Sequence, residues 1–411
     1  EMSEVAQATH SSPDGHIPQL RFPEFSGEWM TDELSNLIEI SSNKFNPNTS
    51  NESKKCIELE HLSQETGELL GYTDSTAQAS TKNAFTKGQV LFGKLRPYLK
   101  KFWLSQFDGV CSSEIWVLNG KKLANNYLFQ FIQTNKFNQI ANVSSGSKMP
   151  RSDWKYMVQV PFKYTTKPEQ QKIAAFLTAV DNKIEQLSKK QELLGEYKKG
   201  AMQQIFSQAI RFKANDDSEF PDWEEKKLGD VCKLQGGYAF KSAEFQKHGI
   251  PIIRISNISN NNDFIDNRNL VYYNEIKNSD KFIIKNGDLI VAMSGATTGK
   301  SSIYNLIEDA YLNQRVGLFK ANNSLLDYGF LIQIVFSYIF ATQLDSVLVA
   351  GAQPNVSSKD IEGFEISLPS KIEQNKIANF LSSIDSKIEQ VGKQLDESKQ
   401  FKKALLQQMF V

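Results

Sequence analysis

Residues 169–186 read Glu-Gln-Gln-Lys-Ile-Ala-Ala-Phe-Leu-Thr-Ala-Val-Asp-Asn-Lys-Ile-Glu-Gln, and residues 373–390 read Glu-Gln-Asn-Lys-Ile-Ala-Asn-Phe-Leu-Ser-Ser-Ile-Asp-Ser-Lys-Ile-Glu-Gln. Twelve of the 18 aligned positions are identical at a constant offset of 204 residues. The same offset aligns Lys198 with Lys402 and continues to the phenylalanine near each segment's end. A repeat of this kind indicates that the 411-residue chain consists of two related halves.

Apolar residues in both repeated segments recur at alternating spacings of four and three, which is typical of helices that pair in a coiled coil. The residues predicted to face the partner helix are Ile173, Leu177, Val180, Ile184 and Leu187 in the first segment and Ile377, Leu381, Ile384, Ile388 and Val391 in the second. Pro168 and Pro369 stand just before the segments, where a missing N–H costs a helix little. The first helix ends where the second globular stretch begins, and the second helix starts from that stretch. We therefore predict that the two helices pair antiparallel.

The globular stretches that precede the helices match each other more loosely and alternate short apolar runs with turn residues. In the second stretch we predict strands over residues 250–255, 288–293 and 316–319. Helices are predicted over residues 127–141 and 326–344. The predicted fold is mixed α/β: two similar α/β domains joined by two long antiparallel coiled-coil helices, with an internal pseudo-two-fold.

This division predicts five segments along the chain. They are a mobile N-terminal tail (1–16), a first globular domain (17–165), a central helix (166–209), a second globular domain (210–368) and a C-terminal helix (369–411). The first 16 residues lack the apolar core of a secretory signal, and no apolar run reaches the roughly 18 residues of a membrane span. The cysteines at positions 56, 111 and 232 are scattered, which favours a reducing cytoplasm over a disulfide framework.

Catalytic motifs are absent from the sequence. The closest is Ser294-Gly-Ala-Thr-Thr-Gly-Lys-Ser301, but a phosphate-binding loop needs glycine where Ser294 stands and a helix after the final serine. The stretch can be read as an ATP site, as a polar loop that presents small donors to a ligand, or as a plain surface turn. No Gly-x-Ser-x-Gly elbow or dinucleotide-binding glycine pattern occurs.

A basic stretch suggests nucleic-acid binding instead. Residues 75–107 contain six basic side chains, several aromatic ones and no acidic one, which suits a phosphate backbone and base edges. The alternative is a lysine-rich solvated face. In the second half, residues 289–307 are also free of acidic residues but are rich in serine and threonine. Arginine, asparagine, glutamine and serine side chains are those that read bases in the major groove.

Two polar loops, residues 144–148 and 353–359, occupy matching places in the two halves and are either recognition loops or ordinary loops. The side chains predicted to contact DNA are Lys94, Arg96, Lys100, Lys101, Ser147, Lys148 and Arg151 in the first domain and Arg254, Ser294, Thr297, Thr298, Lys300, Asn313, Arg315, Gln353, Asn355 and Lys359 in the second. No residue is predicted to be catalytic or to bind a metal.

Taken together, these segments resemble the specificity (S) subunits of type I restriction–modification enzymes over residues 17–411. The resemblance rests on Leu-Arg-Phe-Pro-Glu-Phe-Ser-Gly-Glu-Trp at residues 20–29, its partial echo at residues 211–223, and Glu-Gln-x-Lys-Ile-Ala-x-Phe-Leu at the start of both helices. The sequence Gln-Gln-x-Phe near the end of both helices completes the pattern.

The resemblance implies a non-catalytic DNA-recognition subunit. Each globular domain would read half of a divided target in the major groove, and the helices would set the half-site spacing and dock two methyltransferase (M) subunits. The complex would be an adenine-N6 DNA methyltransferase, and restriction (R) subunits would add ATP-dependent cleavage. S-adenosylmethionine, ATP and Mg²⁺ would then belong to the partner subunits, and the chain itself would have no cofactor and no membrane partner. The alternatives are a coiled-coil scaffold that does not bind DNA and a stand-alone nucleotide-dependent enzyme.

Overall fold

The structure is a computed structural model that describes residues 7–8, 16–50, 52–77, 80–143, 148–258, 263–276, 280–350 and 355–411. The chain divides into two compact units. Unit one contains residues 1–189 and 392–411, and unit two contains residues 190–391. Each unit therefore includes one globular region and parts of both long helices. Most of the predicted N-terminal tail, residues 1–6 and 9–15, lies outside the described residues.

Unit one is a mixed α/β unit. Its strands are β1 (Gln7–Ala8), β2 (Leu20–Arg21), β3 (Met30–Glu33), β4 (Ile38–Ile40), β5 (Lys44–Phe45), β6 (Lys55–Ile57), β7 (Thr73–Asp74), β8 (Lys82–Phe85), β9 (Val90–Gly93), β10 (Phe102–Leu104), β11 (Gly109–Cys111), β12 (Ile115–Gly120) and β13 (Pro161–Tyr164). Its helices are α1 (Leu34–Leu37), α2 (Asn125–Phe131), α3 (Asn135–Ala141), α4 (Trp154–Met157) and the first part of α5 (Lys167–Phe206). We call residues 20–164 head one.

Unit two repeats this order of elements. Its strands are β14 (Glu224–Lys227), β15 (Cys232–Gly236), β16 (Ile250–Ile253), β17 (Val271–Tyr273), β18 (Ile283–Ile284), β19 (Leu289–Ala292), β20 (Ser301–Ile303), β21 (Ala310–Leu312), β22 (Val316–Ala321) and β23 (Glu365–Leu368). Its helices are α6 (Leu228–Val231), α7 (Tyr328–Val335), α8 (Tyr338–Ala350), α9 (Ser358–Glu362) and the first part of α10 (Lys371–Gln408). We call residues 211–368 head two.

The strand order of the sheets shows that the two heads share one topology. The sheet β10-β9-β12-β4 of head one corresponds to β20-β19-β22-β15 of head two. A second sheet has the order β5-β8-β11-β6-β7 in head one and β18-β21-β16-β17 in head two, so head one has one additional edge strand, β5. In each second sheet one central pair, β6 with β11 and β16 with β21, is parallel, while the other strand pairs are antiparallel. The three strands predicted in the second half are confirmed as β16, β19 and β22.

A glycine turn begins the same hairpin in both heads. Gly88 precedes β9 with φ of 87°, and Gly287 precedes β19 with φ of 91°. Their N–H groups donate to the carbonyls of Ser105 and Tyr304, respectively, across the hairpin. A left-handed backbone at these turns favours glycine because a Cβ would be strained there. The Lys-Gly and Asn-Gly pairs therefore place β9 and β19 in the same register.

The helices predicted over residues 127–141 and 326–344 are each two helices, so this prediction was wrong in detail. Thr134 stops the first one, because its hydroxyl donates to the Phe131 carbonyl and accepts the N–H of Phe137. At the matching break in head two, the Ser337 hydroxyl donates to the Ile334 carbonyl (2.6 Å). Such side chains compete with the backbone for hydrogen bonds and so start a new helix.

The inward side of each long helix follows the predicted spacing. The side chains of Ile173, Leu177 and Val180 are buried in the core of unit one together with Leu405 and Met409 from the end of α10. In unit two the core joins Ile377, Leu381 and Ile384 to Met202, Ile205 and Phe206 from the end of α5. In each unit, therefore, the start of one long helix lies beside the end of the other, which confirms antiparallel pairing. The same residues also contact the head. The inward side of each long helix therefore packs against both the other long helix and the head.

Within the described part of the chain, no single helix is long and apolar enough to cross a membrane. Helices spanning Tyr328–Val335 and Tyr338–Val349 reach that length and hydropathy only in combination, across a bend of 54°. Most of their apolar side chains pack in the core of unit two.

Candidate nucleic-acid interface

A buried carboxylate at the start of α5 fixes head one on its helix. The Glu169 carboxylate, 1% exposed, accepts two hydrogen bonds of 2.8 Å from the Arg21 guanidinium. It also accepts the Trp29 indole N–H (3.4 Å) and the Thr165 hydroxyl. The next residue, Gln170, accepts the Ala124 N–H and donates to the carbonyls of Lys122 and Thr165. The repeated Glu-Gln pair therefore determines how the head meets the helix.

The same connection exists in unit two. The fully buried Glu373 carboxylate accepts hydrogen bonds from the Arg211 guanidinium (2.8 and 3.2 Å) and the Trp223 indole N–H (3.1 Å). The hydrogen bonds to the Glu373 carboxylate are the main cause that raises the pKa of the Arg211 guanidinium. Gln374 accepts the Asp327 N–H at 2.7 Å. The similarity between residues 20–29 and 211–223 is thus explained by one shared contact.

A hairpin loop and a second segment meet on one face of head one. Residues 94–101 connect β9 to β10, and residues 148–152 run beside them. The Arg96 N–H donates to the Pro150 carbonyl (2.8 Å), and the Ser152 N–H donates to the Lys94 carbonyl (2.9 Å). Two sequence-distant groups of predicted residues, Lys94 with Arg96 and Lys148 with Arg151, are therefore neighbours. Arg96 also takes a left-handed backbone, with φ of 51°, a strain that is common at binding sites.

The corresponding loops of head two form a cleft. Residues 293–300 connect β19 to β20, and the Val356 N–H donates to the Met293 carbonyl (3.0 Å). An open cleft of about 410 Å³ is lined by Met293, Ser294, Gly295, Gln314, Arg315 and Asn355. Three of these side chains, Ser294, Arg315 and Asn355, were predicted from the sequence.

Backbone hydrogen bonds identify the equivalent positions of the two faces. The Lys94 N–H donates to the Glu114 carbonyl (3.0 Å), as the Met293 N–H donates to the Arg315 carbonyl (2.9 Å). Glu114 and Arg315 therefore occupy the same place, in the turn that enters β12 or β22. The fold is the same at this place, while the charge of the side chain is opposite.

A second pair of equivalent positions lies opposite the hairpin loops. Leu95 is bridged to Arg151 in head one, as Ser294 is bridged to Asn355 in head two. In head one the Arg151 guanidinium donates to the Glu114 carboxylate (3.0 and 3.2 Å), which raises the pKa of Arg151. Head two has an amide at the position of Arg151. The two faces therefore share a backbone and differ in chemistry.

Carboxylates from other parts of head one neutralise some of the positive charge of the basic stretch. The Lys82 ammonium is 2.6 Å from the Glu58 carboxylate, and the Lys100 ammonium is 2.8 Å from that of Glu65. These carboxylates lie outside residues 75–107, so a scan of that window alone misses them. The aromatic part of the interpretation was also incomplete, since Phe102 and Trp103 are buried in the core and only Tyr98 is exposed.

Several predicted side chains make contacts within their own head. The Lys101 ammonium donates to the Leu59 carbonyl (2.6 Å). The Thr297 hydroxyl donates to the Ile255 carbonyl, and the Thr298 hydroxyl donates to the Gly295 carbonyl within the hairpin loop. The guanidinium of Arg254 donates to the Asn269 carbonyl and lies over the Phe245 ring.

Other predicted residues lie on the surface or outside the described chain. Lys300 and Lys359 are exposed, and Asn313 belongs to the same turn as Arg315. Ser147 and Gln353 lie outside the described residues. The DNA contacts of these residues stay predictions.

The prediction omitted Glu114 and Gln314 as site residues. Glu114 lies beyond the acid-free window, and only the fold brings it to Arg151. Gln314 lies between two predicted residues, Asn313 and Arg315, so the signal for it was already present in the sequence.

The stretch that resembles a phosphate-binding loop is a β-hairpin loop. Strand β20 follows it at Ser301, where such a site requires the start of a helix. Among the described residues, no group of three His, Cys, Asp or Glu side chains is placed to hold a metal ion. Burial raises the pKa of Cys56 to about 11 and that of Cys232 to about 12. A thiolate nucleophile is therefore not favoured at either position.

Comparisons with known proteins agree on one family. The sequence pattern described as "Type I restriction modification DNA specificity domain" matches residues 26–194 and again residues 221–397. The chain is 28% identical over 309 residues to the type I restriction enzyme MjaVIII specificity subunit of Methanocaldococcus jannaschii, covering 72% of each chain.

Two solved structures share the fold. The S subunit of a type I restriction–modification system from M. genitalium has a TM-score of 0.65 at 16% identity, with 96% of this chain and 99% of that chain covered. A chain from a structural study of complex assembly and conformational transition in the type I R-M system has a TM-score of 0.52 at 17% identity, with 93% and 97% covered.

Proposed function

This chain belongs to the family of type I restriction modification DNA specificity domains, and from that premise we propose that its two heads read the two halves of a divided DNA target. Each head enters the major groove with the face formed by its β9–β10 or β19–β20 loop and the segment beside it. The chain is the DNA-recognition subunit, and bond-making belongs to other subunits.

One observation carries this proposal: two heads that share their strand order, apart from the edge strand β5, present different side chains at equivalent positions. Glu114 and Arg151 in head one stand where head two has Arg315 and Asn355. If the faces served only to stabilise the fold, the charges at these positions would have no reason to differ in this way. Side chains of these kinds are those that distinguish base pairs in the major groove.

We further propose that two copies of a methyltransferase subunit dock on the long helices, one for each unit. The repeat supports this, because some identical residues are exposed and are not required by the packing. They are Lys183, Glu185, Gln186, Lys403, Gln407 and Gln408 in unit one and Lys387, Glu389, Gln390, Lys199, Gln203 and Gln204 in unit two. Equal exposed surfaces fit equal partners. The mass of the assembled complex tests this, and a single methyltransferase copy would contradict it.

The remaining roles follow from that assembly. The methyltransferase subunits would bind S-adenosylmethionine and methylate adenine, while restriction subunits would bind ATP and Mg²⁺ for cleavage. We propose that the complex works in the cytoplasm, where its DNA substrate lies.

A head exchange tests the proposal. Residues 228–368 are replaced by the same segment of another family member, and methylated adenines are then mapped in cells that contain the methyltransferase subunit. We expect one half of the methylated target to change, because only head two has changed, while the other half stays the same. The unmodified chain is the control.

Two outcomes would count against this reading. If both halves change, the heads do not read independently. If neither half changes and the complex binds duplexes without sequence preference, the chain is a scaffold and not a reader.

A further inference from the structure

The cleft of head two has the composition of a purine-reading site. We propose that this cleft, lined by Ser294, Gln314, Arg315 and Asn355, contacts base edges directly and that Arg315 reads a guanine in the second half-site. This inference rests on the proposed function and assigns to head two a class of base.

Three segments of backbone hold the cleft in place. The Met293 N–H donates to the Arg315 carbonyl (2.9 Å), which joins the hairpin loop to the turn before β22. The Gln314 N–H donates to the Tyr238 carbonyl (2.8 Å), which joins the turn to the segment after β15. Gly237 permits this approach, since a Cβ there would lie 2.1 Å from the Leu312 carbonyl oxygen. The turn is therefore fixed before any ligand binds.

The polar groups of the cleft are available to a ligand. The Ser294 hydroxyl is buried and has no hydrogen-bond partner in the described part of the chain. Arg315 is exposed, and no ion pair of its guanidinium is found among the described residues. In head one, by contrast, the guanidinium of Arg151 is paired with the Glu114 carboxylate. The buried Ser294 hydroxyl is costly without a hydrogen-bond partner, whereas the exposed Arg315 guanidinium is solvated and can reach a ligand.

The chemistry of the lining selects purines. An arginine donates two hydrogen bonds to O6 and N7 of guanine, and asparagine or glutamine pairs with N6 and N7 of adenine. Gln314 and Asn355 flank Arg315 in the same cleft. A guanine next to an adenine on one strand therefore satisfies the site, whereas pyrimidine edges on that strand leave the guanidinium without its acceptors.

The test measures how the assembled complex, with its methyltransferase subunits, binds a library of duplexes with random bases in the target region. The unmodified complex is expected to require guanine at one position of the second half-site. Arg315→Ala should remove the preference at that position alone and weaken binding to the preferred duplex about 10- to 100-fold. Lys320→Ala is the matched control, because Lys320 is an exposed basic residue further along β22.

The outcomes separate base contact from phosphate contact. If Arg315→Ala weakens all duplexes equally and lowers the salt dependence by about one counterion, Arg315 contacts phosphate and the inference is wrong. An unchanged base preference also overturns it. Either result leaves the proposed function intact, whereas an unmodified complex without any sequence preference would contradict the proposed function itself.

Discussion

At the scale of single residues, the buried carboxylates Glu169 and Glu373 explain why the beginnings of the two halves resemble each other. Each carboxylate is removed from water, so its charge needs partners that are fixed in place. The arginine and the tryptophan that supply them come from the first residues of each head. Both halves therefore keep this arginine and tryptophan, because the long helix after each head begins with the carboxylate that they bind.

This arrangement predicts a large effect for Arg21→Met. The change leaves Glu169 buried without its charged partner, and breaking such a pair costs about 3 kcal/mol. Denaturation by urea should show a free energy of unfolding lower by that amount. The control is Lys213→Met, whose ion pair with Glu219 is exposed and contributes at most about 1 kcal/mol. Equal losses for the two variants would contradict the role of burial.

The candidate site was predictable only in part. Residue type and loop position were enough to select Ser294, Arg315 and Asn355, which the fold brings to one cleft. The pairing of Arg151 with Glu114 was not, because the two residues lie 37 positions apart and meet only through the strand order. Charge patterns along the chain therefore overestimate the positive potential of a folded surface.

At the scale of elements, a charged cluster joins the long helices in each unit. The Lys402 ammonium near the end of α10 lies 2.5 Å from the Asp181 carboxylate of α5 and 2.6 Å from the Gln133 amide oxygen of head one. In unit two, Lys198 of α5 lies 2.6 Å from Asp385 of α10. The offset of 204 residues thus aligns both members of each pair, and the cluster fixes the antiparallel register.

A charge exchange tests this register. Lys402→Glu places a carboxylate at a buried position beside that of Asp181, and we expect the free energy of unfolding to fall by about 2 kcal/mol. Adding Asp181→Lys should restore most of the loss, because the nearby glutamine amides can donate or accept. Urea denaturation of the two single variants and the double variant gives the coupling energy. If the double variant is no more stable than the sum of the single changes predicts, the contact is absent.

The elements differ in how well the sequence specifies them. The long helices are evident because ten inward positions follow one spacing without interruption. The helix predicted over residues 127–141 was joined wrongly across Thr134, since apolar residues on both sides keep a helical spacing. Only the cap contact, an N–H of Phe137 held by the threonine hydroxyl, marks the break, and threonine is too common inside helices to signal it.

At the scale of the whole molecule, the duplication separates two tasks. Residues at the head–helix contacts and on the inward sides of the helices are shared by the halves, because both halves solve the same packing problem. Residues on the two candidate interfaces differ, and we propose that they do so because a divided target needs two different readers. A duplicated chain can therefore change one half-site without disturbing the connection that supports it.

The long helices should consequently set the spacing of the half-sites. Because α5 and α10 each begin in one unit and end in the other, seven added residues lengthen each helix by about 10 Å. We propose inserting one heptad into α5 within residues 189–196 and a matching heptad into α10 within residues 391–398. At 3.4 Å per base pair, the preferred spacer should grow by about three base pairs, with both half-sites unchanged.

Methylation at the new sites should also be weaker. A heptad keeps the inward side of a helix nearly in place, whereas three base pairs turn the second half-site by about 100° around the duplex, so the DNA must twist to bring both grooves to the heads. Mapping of methylated adenines measures both effects. A heptad inserted into α5 alone is the control, and it should abolish methylation because the paired positions no longer match. If the double insertion alters the half-site bases and keeps the spacer, the helices do not set the spacing.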